Sequence, residues 1–284
     1  MLKMVFWDVQ HGNALYIETD NRRMVFDLGT GSYGSSDKEF SPLLHLKNKY
    51  GIERLDAAVI THPHTDHLYD IVNFDALAPK VLHRPKHLTE EEIRKGNATD
   101  DKKYVDKYLE ISGRYREPVP EKDNPFRAAN NGGVTFQFFT PNNSARSNLN
   151  NHSVVTVISH AFSKAVIPGD NENPSWNELL EAEAFRAAIK NTDILLAPHH
   201  GREAGYSEVL FEHISPYLTI VSDGAETDTS ATERYSKKSR GWTVHRRDGK
   251  TEKRKCLTTR NDGVIVIEFG LDDDRRSFID VRID

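Results

Sequence analysis

Apolar residues come along this chain in short runs of strand length, separated by polar turns, with helical spacing in only a few places. Residues 2–9 alternate apolar and polar, and residues 14–18 form a second run; the Gln10-His11-Gly12-Asn13 turn between them predicts a hairpin. Further strands are expected at 23–28, 55–60, 134–139, 154–159, 217–222, 243–245 and 264–269. Two briefer apolar runs end in chemistry: Ala165-Val166-Ile167-Pro168 stops at Gly169-Asp170, and Ile194-Leu195-Leu196-Ala197-Pro198 stops at His199-His200-Gly201. Helical signals are fewer. Ser41-Pro42 opens one helix, residues 66–77 predict another, and Asn173-Pro174 begins a third with Trp176, Leu179, Leu180, Ala184, Ala187 and Ala188 mostly three and four apart. Strands followed by helices, twice over, predict two sheets with helices outside: an α/β (α+β) chain in four αββα layers.

One segment departs from this pattern. Residues from about 85 to 131 are highly charged, with Thr89-Glu90-Glu91-Glu92 as a capping box and Tyr104, Tyr108 and Ile111 at helical spacing, before Pro118, Pro120 and Pro125 interrupt. This is expected to be a helical insertion over the functional site. With no repeat or low-complexity linker to divide it, the chain is expected to form one domain over 1–284.

Composition narrows the class. At 37% hydrophobic and 29% charged residues, with mean hydropathy −0.64, the 284 residues describe a globular chain. No run is long enough to span a bilayer, and the first ten residues read as a strand, not a signal peptide. The single cysteine, Cys256, permits no internal disulfide, which fits a cytoplasmic location. Its basic neighbours Lys253, Arg254 and Lys255 would favour a thiolate, yet it is read as incidental. Net charge is −5, unevenly placed: eleven Lys or Arg between Arg234 and Arg260 meet only Asp248 and Glu252, so this basic C-terminal hairpin region carries +9 and the remainder −14. If one face carries Arg246, Arg247, Arg254 and Lys255, it offers a track for phosphates; charges divided between both faces of a solvated hairpin would not.

The densest chemistry lies in Thr61-His62-Pro63-His64-Thr65-Asp66-His67. Imidazole nitrogen and carboxylate oxygen are ligands for zinc and similar ions. His62 and His64 would serve one metal, Asp66 and His67 a second, and Asp170 would bridge them. Of His199 and His200 only one need be a ligand, because neighbouring side chains on an extended backbone diverge; His200, beside Gly201, is favoured, leaving the other for substrate contact or proton donation. His11 and Asp27 stand at strand ends near this region, Asp27 placed to orient a histidine. The donors predict two divalent ions, Zn²⁺ or Mn²⁺.

With these residues placed, the chain resembles the metallo-β-lactamase superfamily of αββα metallohydrolases. The resemblance rests on His62-x-His64-x-Asp66-His67, Asp170 and His199-His200-Gly201, and covers nearly the whole chain. Within it the chain looks most like the hydrolase domain of ComEC-type competence proteins, through Asn150-Asn151-His152-Ser153, the Gly169-Asp170 strand end, Ser222-Asp223-Gly224 and a late hairpin at Thr259-Arg260-Asn261-Asp262-Gly263, although Asp8-Val9-Gln10-His11-Gly12-Asn13 departs from the Asp-Val-Gly-Gln-Gly-Asp with which that domain usually opens. There are departures. No Gly-His-Thr run supplies the further metal-ligand histidine of many superfamily members; His152 as a ligand, or Asn151 turned inward beside a more open site, stands in its place. Asp228-Thr229-Ser230-Ala231 stands where a His-Pro pair is frequent.

The resemblance implies a hydrolase in which two dications about 3.5–4 Å apart activate a hydroxide at neutral pH, with Asp66 orienting it. The leading expectation is a phosphodiesterase or nuclease acting on DNA or RNA. The alternatives are a hydrolase of a small ester, lactone or phosphoester with the insertion as lid, and a non-catalytic binding module.

Overall fold

In the computed structural model, residues 1–32, 39–143, 147–224 and 230–284 are described. The centre of the glycine- and serine-rich loop after Gly29 and the Asp228-Thr229 step lie outside them.

Two mixed sheets form the middle of the molecule. The larger runs, in order, Thr251–Arg254, Trp242–Arg246, Ser277–Ile283, Ile265–Leu271, Leu2–Phe6, Leu15–Thr19, Arg23–Phe26, Ala57–Val59 and Val81–His83. The smaller runs Cys256–Thr258, Leu218–Val221, Ile194–Leu196, Ser163–Ile167, Val155–His160 and Thr135–Phe139. Strand alternation assigns the layers. Leu2, Met4, Phe6, Met24, Phe26, Ala57 and Val59 face Ala165, Ile167, Ile194 and Leu196 across the space between the sheets. The intervening Val25, Ala58 and Ile60 turn outward against Leu43, Leu46, Ile93, Val105, Tyr108 and Ile111. On the other flank Val166, Leu195 and Val221 meet Trp176, Leu179, Phe185, Ile189 and Tyr235. The four αββα layers are therefore joined by three apolar seams.

Helix Pro42–Tyr50 starts as expected, with the Ser41 hydroxyl capping the Leu44 amide and Pro42 in the first turn. The capping box at Thr89 forms over Glu90–Lys95. Three expectations change. Residues 66–77 are not one α-helix but 3₁₀ turns at Thr65–His67 and Tyr69–Ala76. The Leu28 amide donates to the His67 carbonyl (2.9 Å) and the Asp70 amide to the Leu28 carbonyl (2.8 Å), so this backbone is tied to the neighbouring strand end as well as through its own short turns. The Thr259–Asp262 stretch is a single helical turn capped by Thr258, not a hairpin. The helix after Pro174 is split at extended Ala182 into Asn173–Glu181 and Glu183–Ile189, both buried in the same seam. The strand Ser277–Ile283 has no counterpart in the expectations. Among the described residues, no helix is long and apolar enough to cross a membrane.

Candidate metal centre

Parallel strands Arg23–Phe26, Ala57–Val59, Ser163–Ile167, Ile194–Leu196 and Leu218–Val221 all deliver their carboxyl ends to one edge of the sandwich. Asp27, the 61–67 loop, Asp170, His200 and Ser222 follow directly from those ends.

Asp27 organises the loop. Its Oδ1 accepts the Thr61 amide at 2.7 Å, and its carboxylate takes the Thr61 hydroxyl at 2.9–3.0 Å. Its Oδ2 faces His67 Nδ1 at 2.8 Å and accepts from Asn13 Nδ2 at 3.0 Å. Fixing Nδ1 turns His67 Nε2 into the cavity. His200 is fixed the same way, with Nδ1 3.0 Å from the Ser222 carbonyl. The two Nε2 atoms are 3.3 Å apart. His200 Nε2 lies 3.1 Å from Asp66 Oδ2 and 3.3 Å from Asp170 Oδ2, and His67 Nε2 lies 3.2 Å from Asp170 Oδ1. One ligand atom from each of Asp66, His67, Asp170 and His200 thus falls within 4.8 Å of every other. Two imidazole nitrogens and two carboxylates converging this closely suit a divalent cation.

Beside this quartet lie His62 and His64, with His62 Nε2 3.0 Å from His64 Nδ1 and 4.0 Å from Asp170 Oδ2. Asp170 therefore stands between two donor groups. Burial, then the charge of His67, holds the His62 imidazole well below its usual pKa, and burial lowers that of His64. Both rings are kept neutral, the form that binds metal. Burial works the same way on His67 and His200, but the surrounding carboxylates outweigh it. Asp170, Asp27 and Asp66 raise His67 well above 6.5, and Asp170 and Asp66 bring His200 to about 10. In turn, His67 and His200 overcome burial to hold Asp66 and Asp170 below the carboxylate range.

His199 and His200 are not on an extended backbone: both are left-handed, at φ 50° and 52°, and Gly201 continues at φ 70°. A Cβ on Gly201 would sit 2.6 Å from Val221 Cγ1. The turn still separates the rings. His200 enters the quartet, and His199 Nδ1 faces Glu172 Oε1 at 3.2 Å. His11 Nε2 borders the site, 3.5 Å from Asp66 Oδ2. Its turn approaches the metal loop so closely that a Cβ on Gly12 would lie 2.6 Å from the Asp66 carbonyl oxygen.

Neither residue considered for the missing histidine joins the quartet. His152 is buried with Nδ1 2.9 Å from His87 Nε2, and Asn151 Oδ1 accepts the Glu172 amide at 3.3 Å. It is Asn150 that faces His64. The basic region is partly paired. Arg246 and Arg254 pair with Glu252 at 3.1 Å, and Arg254 pairs with Asp262 at 2.9 Å. Arg234 pairs with Glu203 at 2.5 Å, Lys238 with Glu208, and Lys250 with Asp248 at 2.8 Å. Arg247, Lys253 and Lys255 stay exposed. Burial pushes the Cys256 thiol up to about 12, so its basic neighbours do not activate it.

Sequence reading missed the supports. Asn97 of the insertion accepts the Thr65 amide at 3.1 Å and donates to the Pro63 and Ile93 carbonyls at 2.9 and 2.8 Å. Asp101 accepts from the Thr65 hydroxyl at 2.8 Å. Glu172 gathers Asn148, Asn150 and His199. A polar residue in a charged insertion carries no local signal for such contacts.

A two-sheet sandwich with His and Asp donors on one edge defines a metallohydrolase class, and the chain matches the metallo-beta-lactamase superfamily over residues 7–212. It belongs to that superfamily, whose members are generally metal-dependent hydrolases. Among solved structures it is similar to the metallo-beta-lactamase fold protein YhfI of Bacillus subtilis, at 13% identity, covering 93% of this chain and 99% of that one with TM-score 0.51. It is also similar to a diphosphatase of the PhnP family, at 12% identity, covering 95% and 99% with TM-score 0.50. At such identities both speak to the fold alone. A stretch of 55 residues is 38% identical to transcription termination factor FttA of Methanothermobacter thermautotrophicus; it is 19% of this chain and spans 8% of that relative's length.

Proposed function

We propose that this chain is a metal-dependent phosphodiesterase that cleaves nucleic acid, similar to the ComEC-type hydrolase domain. The observation that carries the reading is the position of Asp170, with one oxygen 3.2 Å from His67 and the other reaching toward both His200 and His62. Asp66, His67, Asp170 and His200 would hold one ion, and His62, His64 and Asp170 would hold a second.

When bound, two such ions supply Lewis acidity toward a phosphoryl oxygen and acidify a water at neutral pH. Asp66, held ionised and partly open to solvent, would help hold the ion and orient the attacking water. His11 flanks the cavity mouth, kept neutral by burial and then by His200, and can contact a phosphoryl oxygen. Arg202 acts on His11 and Arg260 on Asp223, so two cationic side chains lie within electrostatic reach of these residues and could contact a phosphodiester anion. The short FttA match, to a transcription termination factor by name, points toward nucleic acid as well.

The test is cleavage of labelled single- and double-stranded DNA and RNA with Mn²⁺ or Zn²⁺, beside Asp66→Ala and Asp170→Ala. Cleavage by the wild type alone supports the reading. No cleavage of any of the four by metal-loaded protein refutes it and moves the assignment to a small phosphoester or lactone; inactivity on those as well would favour a binding module.

A further inference from the structure

Asn150, Asn151 and His152 are three adjacent buried residues, and the turn they form runs into Ser153, whose hydroxyl accepts the Asp170 amide at 3.0 Å, and Val154, whose amide donates to the Thr61 carbonyl at 2.8 Å. Asn151 is engaged by the Glu172 backbone and His152 lies against His87. Asn150 is only 8% exposed. Its Nδ2 donates to Glu172 Oε1 at 3.1 Å, while Asn148 Nδ2 donates to the other oxygen at 3.0 Å. With its nitrogen donated to Glu172, the Asn150 amide turns its oxygen away from that carboxylate. That Oδ1 is buried with no hydrogen-bond partner. A buried carbonyl oxygen left unsatisfied requires an explanation, because desolvating it without a partner costs about 1–3 kcal/mol.

We propose that Asn150 Oδ1 is a ligand of the metal ion held by His62, His64 and Asp170, standing where a third imidazole would otherwise complete the set. The inference rests on the two-ion reading of the site and not on the choice of substrate. It has a consequence for selectivity. A carboxamide oxygen is a harder donor than imidazole, and oxygen donors suit Mn²⁺ better than they suit Zn²⁺. Asn150 therefore biases this position toward Mn²⁺, while the neighbouring quartet keeps its two imidazoles. Glu172 is a positioning residue that acts through the orientation of the amide.

The experiment compares wild type, Asn150→Ala and Asn150→His after removal of metal by chelation. Each is titrated calorimetrically with Mn²⁺ and separately with Zn²⁺, and bound metal is counted by mass spectrometry after gel filtration. The wild type should bind two ions. Asn150→Ala should lose about tenfold or more in affinity for one of them, with the other unchanged. Asn150→His should shift the Zn²⁺-to-Mn²⁺ preference of that one position toward zinc by a similar factor. Two ions bound by Asn150→Ala at wild-type affinity would overturn the proposal. If the alanine variant does not fold, an unaltered metal preference in Asn150→His overturns it equally. A wild type that binds a single ion would refute the two-ion reading itself, whatever substrate is cleaved.

Discussion

His67 Nδ1 and Asp27 Oδ2 lie 2.8 Å apart, and this pairing links the strand Arg23–Phe26 to the metal loop. Asp27 adopts a left-handed φ of 56°, an unfavourable conformation for a residue with a side chain. It is retained where one carboxylate serves a backbone amide, a hydroxyl, an imidazole and an amide side chain together.

Asp27→Asn replaces one acceptor oxygen by a donor, so Thr61 or His67 loses its partner while side-chain volume hardly changes. We predict a drop of about 10–100-fold in metal affinity with a near-native circular dichroism spectrum. Titration with Zn²⁺ under chelator competition measures it, and wild-type affinity would show that Asp27 does not orient His67.

The insertion supports the loop from behind, since Ile93, Val105, Tyr108 and Ile111 are buried in the outer seam while Asn97 bridges Thr65 and Pro63. Asn97→Ala leaves buried backbone groups unpaired, a cost of about 1–3 kcal/mol. Denaturant unfolding should show that loss, and turnover should fall further than stability because the ligand loop is displaced. Undiminished turnover would mean the loop holds its shape alone.

Much of this architecture was legible in the chain. Alternation at Leu2, Met4 and Phe6 marks a strand with one face in the inter-sheet seam, and His62-x-His64-x-Asp66-His67 marks the donors because metal ligation demands those residue types. The remainder lacks a local signal. Whether His199 or His200 enters the quartet is decided by three successive left-handed residues, which an extended-strand argument does not anticipate. Asn150 and Glu172 become visible only when two loops from separate strands meet. The charge of the basic segment is written in the sequence, but two of its partners, Glu203 and Glu208, lie well outside it.

Asp223 gives a pH signature. Burial raises its carboxyl from 3.8 to about 6, against the pull of Arg260 and His200. Between those values the folded state binds more protons than the unfolded state, so this group subtracts stability as pH rises from about 4 to about 6. Asp223→Asn removes the charge. The stability difference between variant and wild type should therefore move in favour of the variant from pH 4 to pH 7. Parallel unfolding curves at both pH values, with a constant difference, would contradict this.

On the strand Thr251–Arg254, Lys253 faces solvent while Glu252 and Arg254 are half-buried and paired. Reversing Arg254 would break its pairing with buried Asp262, so the informative substitutions are Arg247→Glu, Lys253→Glu and Lys255→Glu together. If this face tracks phosphates, the slope of log affinity against log salt should flatten by about 0.7–0.9 for each phosphate no longer neutralised. An unchanged slope removes the face from nucleic-acid binding.

If the donors gathered around Asp170 form a two-ion hydrolytic centre for phosphodiesters, activity must track metal loading. Chelator-stripped protein, reloaded stepwise with Mn²⁺, should be assayed on a labelled oligonucleotide at each increment. The expected result is no turnover without metal, turnover that saturates at two equivalents, and none at any loading in Asp170→Ala. Turnover by stripped protein, or by Asp170→Ala at full loading, would contradict a two-ion centre built on Asp170.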